Sequence, residues 1–166
     1  MDPLAHTLPA WQASKSEAEK SFCAGDFDKA ARRYGECIDM VHSWEAASSR
    51  DLRDELAKLF SNQSLALQRL GRWEKAILTA QQATQKKPDW DKAWYRLGTS
   101  LVGAGDTVMA GQAFSVGLQL NPLSAQLHDL VQLMMPVPEE EQGREEPGNE
   151  SGAGGFRDAE DPPGGL

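Results

Sequence analysis

The chain has 166 residues, 40% of them hydrophobic, with five Trp and a formal net charge of −8, which is enough for one domain with extensions rather than two full domains. Residues 137–166 hold nine acids against Arg144 and Arg157 and so carry −7 of that charge; the remainder, near −1, has no basic excess to attract nucleic acid or an anionic membrane. No stretch approaches the ~18 apolar residues of a membrane span, and the first fifteen positions lack the apolar run of a signal peptide, so a cytoplasmic location is expected.

Residues 1–9 read as a loose lead, and Pro9 suits the start of a helix because its missing N–H costs nothing there. Trp11, Ala18, Gly25, Phe27, Ala30, Tyr34 and Cys37 follow at helix-pair spacing. The stretch Glu45 to Leu56 is helix-prone apart from Ser48 and Ser49. It reads as two lengthened helices with a turn at those serines, Ser49 capping the second. Next come Phe60, Gln63, Ser64, Leu67, Gly71, Ala76, Ala80 and Pro88, and each is matched 34 positions later by Trp94, Leu97, Gly98, Leu101, Gly105, Ala110, Phe114 and Pro122. A period of that length marks stacked supersecondary units. Counted from Trp11, the first unit fits the same register, but its step to the second, Gly25 to Gly71, is 46 residues because of the inserted stretch.

The spacing has a physical reading. Two antiparallel helices that cross closely need small residues at the crossing, here Gly98 or Ser64 on the first helix and Ala110 or Ala76 on the second. Gly71 and Gly105 suit the left-handed cap that ends the first helix of each unit, and Pro88 and Pro122 stop the second. A single pair cannot bury its apolar stripe alone, so neighbours must stack. Trp94 falls at a core position, with Trp73 and Trp90 packing between helices or units. After Pro122, Leu127, Leu130, Val131 and Met134 recur at helical spacing, giving a helix over 124–135 that shields the last unit. From Pro136 onward Pro, Gly and Glu dominate, and the segment is expected to be disordered.

No catalytic or metal-binding constellation stands out. His6, His42 and His128 are isolated, no Ser or Cys sits in a nucleophile motif, and Cys23 and Cys37 lack zinc spacing and read as buried free thiols on facing helices. Neither an enzymatic activity, a metal nor a cofactor is expected. What converges instead is a set of polar donors. Lys92 and Arg96, four apart, share a helix face, while Asn62 and Arg96, and Lys58 and Lys92, lie one period apart and so at equivalent sites of adjacent units. Such a strip suits a carboxylate: Arg offers a fork, Lys a point charge, Asn an amide.

The period, the small residues at the crossings and the Gly and Pro ends resemble the tetratricopeptide repeat (TPR) family over about residues 11–135. The resemblance implies an all-α fold: three antiparallel helix-pair repeats (11–44, 57–90, 91–124) forming a short superhelix in a domain of residues 10–135, with a C-terminal shielding helix and a disordered acidic tail, 136–166. In that family certain positions of each first helix face a concave groove. Here they fall on Lys15 and Glu19, on Lys58, Ser61, Asn62 and Leu65, and on Lys92, Tyr95, Arg96 and Thr99.

TPR domains that hold the C-terminal carboxylates of cytosolic heat-shock chaperones carry a two-carboxylate clamp, and Lys15, Asn62, Lys92 and Arg96 match it. Glu19 stands where the clamp has asparagine. A carboxylate there would repel the peptide terminus and partly neutralise Lys15 one turn away; weakened binding, altered ligand choice and a shifted peptide register are the open consequences. The resemblance implies a monomeric adaptor, co-chaperone-like, that grips an acidic C-terminal chaperone peptide. The alternative is a scaffold that assembles a protein complex without recognising a carboxylate.

Overall fold

Three left-handed turns punctuate the helices. Gly25, Gly71 and Gly105 have φ of 80°, 68° and 87°, a region that side-chain-bearing residues enter only with strain. In each case the amide that follows reaches back into the preceding helix: Asp26 N–H to Ser21 O at 2.9 Å, Arg72 N–H to Leu67 O at 3.0 Å and Asp106 N–H to Leu101 O at 2.9 Å. This closes the exposed carbonyls of a helix end and turns the chain back on itself. Asp26 and Asp106 then cap the helices that follow, accepting from Lys29 N–H at 3.1 Å and Met109 N–H at 3.0 Å, as short acidic side chains do at a helix start.

The computed structural model describes the backbone of residues 4–43 and 50–135. These residues form seven helices and, among the described residues, no strand: α1 Leu4–Cys23, α2 Phe27–Ser43, α3 Arg50–Arg69, α4 Trp73–Lys86, α5 Asp91–Ala104, α6 Thr107–Leu120 and α7 Ala125–Met134. Each helix packs on the next in sequence, and α3 also touches α5. The result is three stacked pairs, α1/α2, α3/α4 and α5/α6, closed by α7.

Small residues set the crossings. A Cβ on Gly98 would lie 2.3 Å from the ring of the fully buried Phe114, and one on Gly103 would lie 2.2 Å from the ring of Trp73. At the equivalent crossing of the second pair, buried Ser64 donates to the carbonyl of buried Ala76 at 2.9 Å. Two apolar clusters result. The first runs from α1 to α5, with Trp11 and Trp90 packed on its edge, and the second joins α4, α5, α6 and α7 and takes in Trp94. The half-buried Trp94 donates its indole N–H to Pro88 O at 2.8 Å. Leu127 is the buried anchor of α7, whose first turn is capped by Ser124 accepting from Leu127 N–H at 3.3 Å.

Two expectations need correction. Residues 1–9 are not a lead-in throughout, since α1 begins at Leu4 and passes through Pro9. Near a helix start the missing proline N–H forfeits a single bond, to the carbonyl of Ala5, and the helix tolerates it. Cys23 is exposed and only Cys37 is buried, because Cys23 ends α1 beside the Gly25 turn while Cys37 sits mid-helix in the apolar core. The turn assigned to Ser48 and Ser49 and the acidic tail, 136–166, lie outside the described residues; α3 begins at Arg50.

Candidate functional site

Odd-numbered helices form one face of the stack, and polar contacts join them side to side. Gln68 on α3 places its amide nitrogen 3.0 Å from Arg96 O, 3.1 Å from Thr99 Oγ1 and 2.7 Å from Ser100 Oγ on α5. Ser100 in turn lies 3.3 Å from Ser64. A buried polar chain of this kind is worthwhile only when its members are satisfied together, so it fixes the rotation of α5 against α3. On the far side of α5, Gln126 of α7 donates to the Tyr95 hydroxyl at 2.9 Å.

Between α5 and the start of α7 lies a cavity of about 420 Å³, lined by Asp91, Lys92, Tyr95, Arg96, Asn121 and Gln126, among others. Its one acid is already engaged: Asp91 accepts from the Asn121 amide at 2.8 Å and from the Lys92 N–H at 2.9 Å. Lys92 is exposed and pairs with no carboxylate among the described residues. Arg96 is half-buried, with its guanidinium carbon 5.8 Å from the Tyr95 ring centre, and its buried Nε has no hydrogen-bond partner among the described residues. Burial holds this guanidinium below the usual arginine value and Arg69 pushes the same way, against an opposing influence from Tyr95. A cation that has given up water and found no anion is costly. An incoming carboxylate would supply the missing partner.

At the other end of the face the cations are already paired. Lys15 on α1 forms an ion pair with Glu55 on α3 and sits 5.2 Å from the Trp11 ring centre. The second Glu55 oxygen lies 3.5 Å from Lys58 Nζ. Lys15 therefore finds its counter-ion across the helix gap and not one turn along its own helix. Glu19 is exposed, on the side of α1 from which its charge raises the pKa values of Tyr34 and Cys37.

The remaining groove positions differ in availability. Asn62 and Leu65 are half-buried, and the Asn62 amide has no hydrogen-bond partner among the described residues. Ser61 is only 4% exposed and offers little surface. Thr99 turns inward, donating to Arg96 O at 3.0 Å. Glu55, Asn121 and Gln126 are the participants that sequence reasoning missed. A signal for Glu55 was present, three residues ahead of Lys58 on a helix, a spacing that brings side chains together. Among the described residues there is no group of three or more metal-ligating side chains, and no helix is long and apolar enough to cross a membrane.

Stacked antiparallel pairs with small-residue crossings, glycine turns and a closing helix constitute a tetratricopeptide repeat fold. TPR domains are among the solved structures that share it. The TPR domain of Sgt2 from Aspergillus fumigatus superposes with a TM-score of 0.63 at 23% identity, covering 95% of this chain and 92% of that one. The second TPR domain of human RPAP3, solved in complex with the HSP70 peptide SGPTIEEVD, gives a TM-score of 0.61 at 23% identity, over 73% of this chain and 91% of that domain. In sequence, the Hsp70-Hsp90 organizing protein of Triticum aestivum is 31% identical over 109 residues, which is 66% of this chain. The match covers 17% of the wheat protein, so the chain spans about a sixth of that relative's length. No family model matches the chain.

Proposed function

We propose that this domain is a co-chaperone-like adaptor that takes the acidic C-terminal peptide of a cytosolic heat-shock chaperone in the groove formed by α1, α3, α5 and α7. The observation that carries this reading is Arg96: a half-buried guanidinium whose Nε has no hydrogen-bond partner among the described residues, beside Lys92, which pairs with no carboxylate among them, on a face where the Asn62 amide also has no partner among them. Lys92 and Arg96 supply charge-assisted hydrogen bonds to a carboxylate, and Asn62 donates to the peptide terminus; each such bond is worth about 1.5–3 kcal/mol. The likeness to the RPAP3 domain supports the ligand class, since the peptide in that complex ends in Glu-Glu-Val-Asp. Lys15 belongs to the same groove but is held by Glu55.

Calorimetric titration of the full chain with SGPTIEEVD, beside the same peptide carrying an amidated C-terminus, tests the reading. Binding of the free acid that falls at least about tenfold on amidation is expected, the loss of roughly one charge-assisted bond. Equal binding of both peptides would instead favour a scaffold that does not recognise a terminal carboxylate.

A further inference from the structure

The cations of the groove divide into two sets. Lys92 and Arg96 at the α5 end pair with no carboxylate among the described residues, whereas Lys15 and Lys58 at the α1–α3 end share one acid, Glu55. Glu55 is also among the more enclosed charged groups there, with its side chain 19% exposed against 27% for Lys15 and 55% for Lys58. Its carboxylate bridges two helices and approaches both lysines, one through each oxygen. That is the arrangement a bound peptide carboxylate would adopt at the same lysines.

Resting on the peptide-binding reading above, we infer that Glu55 is a specificity-determining residue, a built-in carboxylate that competes with the ligand for Lys15 and Lys58. A tethered group competes at high effective concentration, because its binding is intramolecular. With Glu19 exposed on α1 as a second acid, the α1–α3 end presents two acids against two lysines and is close to neutral, while the α5 end stays cationic. The groove therefore grips one acidic group of a peptide firmly and gives little for a second. The position of Glu55 explains how this is built: it lies in the stretch inserted between the first two repeats, where α3 extends past the groove strip.

The test is titration of the full chain and three variants with SGPTIEEVD. Glu55→Gln keeps the size of the side chain and an oxygen acceptor for Lys15 but removes the competing charge. It is expected to tighten binding by about threefold or more, the scale of releasing a partly exposed ion pair. Adding Lys15→Ala to that variant should remove most of the gain, because Lys15 is the lysine that Glu55 pairs with across the two helices. A bridge whose role is only to hold α1 to α3 would behave differently: Glu55→Gln would lower the unfolding midpoint and leave affinity unchanged or reduced, which would overturn the inference. The third variant, Arg96→Ala, separates the two readings. Binding that is weakened by Arg96→Ala but indifferent to Glu55→Gln removes the role of Glu55 and leaves the peptide site standing. Absence of binding by all forms, Glu55→Gln included, removes both.

Discussion

Burial favours the neutral form of three titratable side chains in this domain, raising the pKa of two acids and lowering that of Arg96. It pushes the Cys37 thiol from its ordinary 9.0 up to about 11, with Glu36 as the next cause, and the Tyr34 phenol from 10.0 up to about 12, with Glu19 next. Well below pH 9.0 both groups are protonated whether the chain is folded or not, and they add no pH dependence. Above it the unfolded chain ionises first, so the folded state loses stability as pH rises through the window from 9.0 to about 12. The urea midpoint is therefore expected to fall between about pH 8 and pH 10.5, and Tyr34→Phe to remove part of that fall. A midpoint independent of pH across that range would contradict the burial of both groups. At Arg96 the same desolvation presses on a group that retains its charge, and only an anion relieves it.

At the scale of the helices, close crossing is what made the fold readable. Backbones approach only where side chains are small, so Ser64, Gly98, Ala76 and Ala110 at one period of spacing betrayed the pairs, and Gly71 and Gly105 at the same spacing betrayed the ends of the first helices. Gly98→Ala weighs this account against helix propensity. Propensity alone favours alanine by about 1 kcal/mol, whereas a Cβ 2.3 Å from the Phe114 ring should force repacking and destabilise the domain by about 1–3 kcal/mol. A higher urea midpoint for Gly98→Ala would mean that the crossing is looser than described. The start of α1 was not legible, because a proline near a helix start forfeits so little that its position does not fix the boundary. Nor was the pairing of Lys15. The repeat register showed which positions share a face, but Glu55 lies in the inserted stretch outside that register, and its reach to α1 depends on how far α3 extends and how the two helices pack.

At the scale of the fold, the three pairs and α7 bring one face of four helices into a single surface with charge graded along it, paired at the α1–α3 end and, among the described residues, unpaired at α5. The peptide-binding reading turns on that gradient. A comparison of wild-type and Arg96→Ala chains, titrated calorimetrically with SGPTIEEVD at fixed low salt, tests it most directly. The account predicts that Arg96→Ala lowers affinity by about tenfold or more, as expected when a charge-assisted bond is lost from a partly desolvated site. An affinity unchanged by Arg96→Ala would show that the peptide sits elsewhere and that the Arg96 guanidinium is not its anchor.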